Sequence, residues 1–338
     1  MADVEVTEEK RELHRKLADI FVPLSREKSK YLYPDGEKSP VVPFVHYTSA
    51  DAALKILRMK RLWMRNTLCM GDYREVQYGH DMIFNAFNND NGKMRGEFIA
   101  AVDSCSPGIA MKAIDQFDKN WALIQRGTYV TCLSEHDQSE NQHGRLSMWH
   151  AFAPTSARVA IVISLPYFSR VSEKIRVIFS PVGYLDQNRV CNELHRVIRN
   201  IQDNVEFLKT HVSDSELFGW IFTMLLAGVT GVKHEGFHEG KEWRGIYCPQ
   251  VLSGPSEIMK PDLQVIGGIP QKIYELPLCK TVSPLLEDID LAKIIDHVIL
   301  GPSQYSYPMY EAFVDALAEI GVPEPATRVA ISGIPIRT

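Results

Sequence analysis

TYVTCLSEHDQSENQHGRLSMWHAFAPTSARVAIVIS, residues 128–164, decides the fold. Its two ends, Thr128–Leu133 and Arg158–Ser164, are strand-length runs rich in β-branched and apolar side chains. Between them lie a polar loop, Glu135–Gly144, and a short helix candidate around Ser147–Phe152. Working toward the C-terminus, a strand signal covers Ile175–Leu185. A helix then carries Leu194, Val197, Ile201, Val205 and Leu208 at helical spacing, and an apolar helix fills 217–232. Glu242–Cys248 reads as a strand, followed by a hairpin-like region, a helix at 307–320 and a last strand at Arg328–Ile334. Toward the N-terminus, residues 75–125 are helical in pattern, broken at Asn88–Gly92 and at Pro107-Gly108. Before them come a short strand at Arg61–Arg65 and a helix bearing Ala50, Ala53, Leu54 and Leu57. A strand at Val41–Tyr47 leads into that helix, with Thr48 as its cap and Asp51 reaching back. Ser25–Pro43 is rich in turn formers and reads as a loop, and residues 7–22 form an amphipathic helix. Strict βαβ alternation is missing, so the expected class is α+β with a largely antiparallel sheet.

The chain has 338 residues, 45% hydrophobic and 23% charged, which excludes wholesale disorder, collagen and coiled coil. A net charge of -5 argues against a general nucleic-acid coat, so any nucleic-acid contact must come from a local patch. The six cysteines are widely scattered, with no C-x-x-C spacing, as expected in a reducing compartment. The charged start MADVEVTEEKRELHRK lacks the apolar run of a secretory signal, and Leu217–Val232 falls short of a membrane span. A cytoplasmic protein with no membrane association is expected.

His234-Glu235-Gly236-Phe237-His238 matches H-E-x-x-H, whose zinc chemistry needs a helix that brings both histidines to one face. Gly231, Gly236 and Gly240 oppose that helix, and Glu257 is a distant candidate for the third ligand that nothing else in the sequence marks out. A zinc hydrolase is therefore kept as an alternative. Gly-rich dinucleotide fingerprints, P-loops and G-x-S-x-G elbows do not occur.

A second constellation is spread along the chain. His46-Tyr47-Thr48 ends a strand before a helix, Gly127-Thr128-Tyr129 opens the next strand, and Ser147, Trp149 and Phe152 follow on a short helix. Lys241-Glu242-Trp243-Arg244 opens a late strand. These pieces, with Cys132-Leu133-Ser134, Met148-Trp149 and the ending Ser332–Arg337, resemble a bacterial family of uncharacterised domains over residues 41–250. The layout is similar to ADP-ribosyltransferases of the His-Tyr-Glu type, although Tyr47 stands where those carry glycine.

The resemblance implies a split, mostly antiparallel sheet decorated by helices, with NAD as substrate. It implies that Glu242 is the catalytic carboxylate, and that His46, Tyr47, Thr48, Tyr129, Ser147, Trp149 and Phe152 bind NAD. No metal is called for. Such a carboxylate steadies an oxocarbenium-like sugar, and aromatic walls stack on the nicotinamide ring. The expected domains are residues 1–40 as helix and linker, 41–250 as the transferase-like core and 251–338 as a C-terminal extension. The expected partners are a protein or nucleic-acid acceptor and, for a bacterial toxin or antiphage effector, a neutralising antitoxin, for which the N-terminal helix is a docking candidate. Asp72 and Glu75 are reserve carboxylates, and Lys55, Arg58, Lys60, Arg61 and Arg65 with Trp63 form a basic cluster suited to phosphates. A non-catalytic NAD-binding or interaction module is the remaining alternative.

Overall fold

The computed structural model describes residues 8–70, 75–151, 157–167, 171–172, 175–252 and 254–335. The chain opens with α1 (Glu8–Phe21), α2 (Pro23–Leu32), β1 (Val42–Ser49), α3 (Ala50–Met59) and β2 (Arg61–Asn66). Next come α4 (Glu75–Asp103), α5 (Ile109–Gly127), β3 (Tyr129–Glu135), α6 (Leu146–Ala151) and β4 (Arg158–Leu165). Then follow β5 (Ile178–Pro181), β6 (Gly183–Tyr184), α7 (Gln187–Asp203), α8 (Val205–His211), α9 (Asp214–Gly231) and β7 (Val232–Lys233). The last stretch holds β8 (Glu242–Tyr247), β9 (Lys260–Ile266), β10 (Ile269–Pro277), α10 (Leu291–Ile294), β11 (Ile295–Leu300), α11 (Ser306–Glu319) and β12 (Val329–Ile331). The class is α+β, and the sheet is mostly antiparallel, with β11–β12 a parallel pair.

Contacts divide the chain into two compact units, each assembled from three segments. One spans Met1–Tyr31, Met70–Arg126 and Ser180–Phe237; the other spans Leu32–Cys69, Gly127–Phe179 and His238–Thr338.

The first unit is mainly helical. The apolar stripe of α7 buries Val190, Leu194, Val197, Ile198 and Ile201. Helix α9 starts at a capping box made by Ser213 and Glu216 and buries most of its apolar residues, as a core helix does. No described helix is long and apolar enough to cross a membrane. Gly79 on α4 lies against α9 so closely that a Cβ there would stand 2.5 Å from the Val229 carbonyl oxygen. Leu17, Ile20 and Phe21 of α1 are buried, and Phe21 stacks on Trp220. The apolar face of the N-terminal helix is thus covered within the chain.

Two local expectations are corrected. Ser25–Pro43 is not a continuous loop: α2 occupies its first part. Pro23 suits the first helical turn, where its missing N–H costs nothing. Arg26 and Lys30 of α2 reach Asp19 of α1 at 3.2 and 2.8 Å. The cap of α3 is Ser49 rather than Thr48, because β1 stays extended through Ser49, whose hydroxyl accepts from Ala52 N. Asp51 does not reach back; it pairs with Lys55 at 2.9 Å.

The second unit carries the sheet, in the order β12-β11-β4-β1-β3-β2-β10-β9. Strand β3 is its branch point. One edge of β3 pairs with β8 from Tyr129↔Tyr247 to Ser134↔Glu242. Its other edge is shared: β1 takes the C-terminal end (Val45↔Ser134, Phe44↔Glu135) and β2 the N-terminal end (Arg65↔Val130, Asn66↔Tyr129). Between these two ladders β1 and β2 part, which makes the sheet split. Both flanks of the sheet come from residues 260–331. One face packs Phe44, Leu57, Met64, Trp243, Tyr247 and Phe313 into the main core, each such large apolar side chain contributing about 1.5–3 kcal/mol by burial.

Candidate functional site

Side chains alternate between the two faces of a strand, so the ladder registers assign each expected site residue to a face. His46 lies opposite Ile161, Thr48 opposite Val159 and Tyr129 opposite Tyr247; those partners belong to the main core. Glu242 lies opposite Ser134, which lies opposite Val45, and Val45 with Tyr47 packs in a separate small cluster on the other face. The structure therefore divides the expected set. His46, Thr48 and Tyr129 belong to the core face, while Tyr47 and Glu242 belong to the opposite one. Trp149 on α6 joins the second group, its ring edge-on to Tyr47 at 4.8 Å between centroids. Ser147 is half-buried on the same short helix. Phe152 and Asp72 lie outside the described residues, as does the side chain of Glu75.

His46 acts as a pin. A carbonyl oxygen only accepts, so the Nδ1–H of His46 donates to the Cys132 carbonyl at 2.9 Å, within the stretch of β3 that neither β1 nor β2 covers. Burial pulls the imidazole pKa below its ordinary value, opposed by that hydrogen bond. Tyr129 makes edge-on contact with Tyr274 at 4.7 Å, a packing role.

The opposite face sets buried charged and polar groups beside the Tyr47–Trp149 cluster. Glu242 accepts from Arg244 Nε at 2.5 Å, with side-chain exposures of only 7% and 1%. Cys132 is the ladder partner of Arg244. Arg65, on the same face through its pairing with Val130, donates to the Cys69 carbonyl at 2.6 Å and to Gln271 at 3.3 Å. Tyr47 accepts from the backbone N–H of Arg145 at 2.8 Å, and burial pushes its phenol up to about 12, so it stays protonated.

Arg145 in turn grips both Glu140 oxygens at 2.8 and 3.0 Å and donates to the carbonyls of Glu135 and Glu239. Trp149 donates to the His143 carbonyl at 2.8 Å. Its ring sits between two glycines: a Cβ on Gly144 would stand 2.6 Å from it and one on Gly301 3.0 Å. Tyr47, Arg145 and Trp149 are thus locked by hydrogen bonds and packing, the rigidity that a binding wall requires.

Sequence reading missed Arg145. Its available signal was position, directly after Gly144 and ahead of the Ser147–Trp149 helix, in a loop otherwise acidic and polar. Three members of the basic cluster make ion pairs. Lys55 pairs with Asp51 and Arg58 with Glu319, while Arg61, paired with Glu275, and Arg65 share the face of β2 opposite the main core. The His234–His238 segment is a 3-10 turn over Glu235–Gly240, so its histidines do not share an α-helical face as zinc chemistry of that motif demands. His234 Nδ1 accepts from Gly236 N instead. Among the described residues no group of three metal-ligating side chains converges.

No curated protein and no solved structure matches the chain. Residues 148–245, from Met148 on α6 to Gly245 on β8, are similar to a family described as a protein of unknown function (DUF2971), and the matched span includes Trp149, Glu242 and Arg244.

Proposed function

We propose that the chain cleaves NAD at the nicotinamide–ribose bond and transfers ADP-ribose to a macromolecular acceptor, and that its site is the face of the split sheet opposite the main core. One observation carries the reading: the carboxylate of Glu242, fixed by Arg244, shares a face with the rigid aromatic pair Tyr47–Trp149 beside the divergence of β1 and β2. In the reaction the C1′–N bond breaks, nicotinamide leaves with the bonding pair, and a nucleophilic atom of the acceptor adds to C1′ as it loses its proton. Glu242 accepts a hydrogen bond from the ribose 2′-hydroxyl and offsets the charge of the oxocarbenium-like sugar. Arg244 is a positioning residue for that carboxylate. Tyr47 and Trp149, with Ser147, flank the nicotinamide, and Arg65 answers the pyrophosphate charge. His46, Thr48 and Tyr129 support the site from the core side of the sheet. A cytoplasmic toxin or antiphage effector restrained by an antitoxin suits this activity.

The test is release of nicotinamide and transfer of label from NAD to cell extract, with protease and nuclease digestion separating protein from nucleic-acid acceptors. Glu242→Gln is expected to lower turnover about 10²–10³-fold. Absence of both nicotinamide release and NAD binding by the wild-type protein would remove the reading. A second reading, a non-catalytic NAD-binding or interaction module, is favoured by the burial of the Glu242–Arg244 pair. NAD binding without turnover would establish it.

A further inference from the structure

The outer edge of β9 carries an inference independent of the NAD reading. Strands β9 and β10 are joined by Gly267 and Gly268, both with positive φ (61° and 80°), the two-residue primed turn that closes a tight hairpin. Such a turn makes Ile266/Ile269 a hydrogen-bonded pair. Counting back by twos, Gln264 and Asp262 direct their backbone groups at β10, while Val265, Leu263 and Pro261 direct theirs away from it. The prolines agree with this count: Pro261 and Pro270 both fall at positions whose N–H the β9–β10 ladder does not use.

Strand β9 ends the sheet order, and its outward positions are apolar and open, with Leu263 78% and Val265 67% exposed. A bare apolar edge of this kind recruits another strand. Its central five residues, Pro261-Asp-Leu-Gln-Val265, are chemically matched about Leu263, and beyond them Lys260 faces Ile266. Folded on a two-fold axis there, Leu263 meets its own counterpart, Val265 meets the other copy's Pro261, and the carboxylate of Asp262 meets the amide of the other copy's Gln264. No like charges face each other. A match of the five positions from Pro261 to Val265 with their mirror positions selects a second copy of this chain over a foreign strand.

We propose that the protein self-associates into a two-fold dimer by antiparallel pairing of β9 with β9, centred on Leu263. Each Leu263 N–H donates to the opposite Leu263 carbonyl, and each Val265 N–H donates to the opposite Pro261 carbonyl. Pro261 has no N–H to return, so the ladder stops there. A ladder this short makes a small interface, and association in the micromolar range or weaker follows.

Sedimentation velocity of the full chain, from about 1 to 300 µM, reads the equilibrium. The wild type is expected to shift from monomer to dimer across that range. Leu263→Asp and Leu263→Lys, each placing like charges across the axis, are expected to stay monomeric with unchanged circular dichroism, and an equimolar mixture of the two is expected to regain dimer. Val265→Pro, which removes an outward donor alone, is expected to weaken association at least tenfold. A wild type that stays monomeric overturns the proposal and leaves the edge to a foreign strand. Dimers undiminished in both charge variants place the interface elsewhere. A mixture that fails to pair refutes the axis at Leu263.

Discussion

At the scale of single residues, the buried pair Glu242–Arg244 and the pin His46 have measurable consequences apart from catalysis. Removing one member of a buried ion pair leaves the other charge uncompensated at a cost of about 3–5 kcal/mol. Glu242→Gln is therefore expected to lower the unfolding free energy, and adding Arg244→Met to recover part of the loss in denaturant titrations. His46 has a folded-state pKa below its unfolded value near 6.5, with burial as the cause, and burial acts the same way on His136. Below about pH 6.5 the unfolded chain takes up protons that the folded chain refuses, so stability falls as the pH drops. His46→Asn keeps an N–H for the Cys132 carbonyl but cannot titrate. Between about pH 6.5 and 5 its stability is expected to fall less steeply than wild type, by up to about 1.4 kcal/mol per pH unit. An unchanged slope in thermal melts would assign the proton uptake to other groups.

At the scale of elements, strand existence was legible in the β-branched runs at 128–133 and 158–164, which became β3 and β4. Apolar periodicity located α7, although the single helix expected through Leu208 divides at Asn204 into α7 and α8, and the apolar run at 217–232 became α9. What the linear pattern did not report was the face. His46 and Tyr47 are neighbours in sequence and lie on opposite sides of the sheet. The side that Glu242 shares depends on the β3–β8 register, a long-range pairing that no local signal encodes. Helix α2 was hidden behind the turn-forming composition of 25–43, whose first part nonetheless continues the helical stretch and pairs with Asp19 of α1. The cap of α3 moved by one residue for a similar reason: pairing with β4 keeps Thr48 and Ser49 extended. Ser49→Ala is expected to cost about 1 kcal/mol in thermal unfolding, whereas Thr48→Ala removes no cap. Gly144, at φ +65° against the Trp149 ring, tolerates no side chain, and Gly144→Ala is expected to cost about 2–3 kcal/mol and to loosen the Tyr47–Trp149 wall, visible as altered tryptophan fluorescence.

At the scale of the whole molecule, the chain passes repeatedly between its two units, so neither is a contiguous stretch that could be cut out. The late residues are structural in the full sense: Tyr274, Leu276, Val298 and Phe313 all sit in the main core. A chain ended after Gln250 loses β9 to β12 and is expected to show no cooperative unfolding transition by calorimetry. The fork at β3 also governs how the sheet comes apart. Its two arms hang from opposite ends of one strand edge, so breaking the Val45–Ser134 contacts does not require breaking those of Arg65–Val130. Native-state hydrogen exchange should accordingly resolve two separate protection free energies along a single seven-residue strand, where an unbranched ladder would show one.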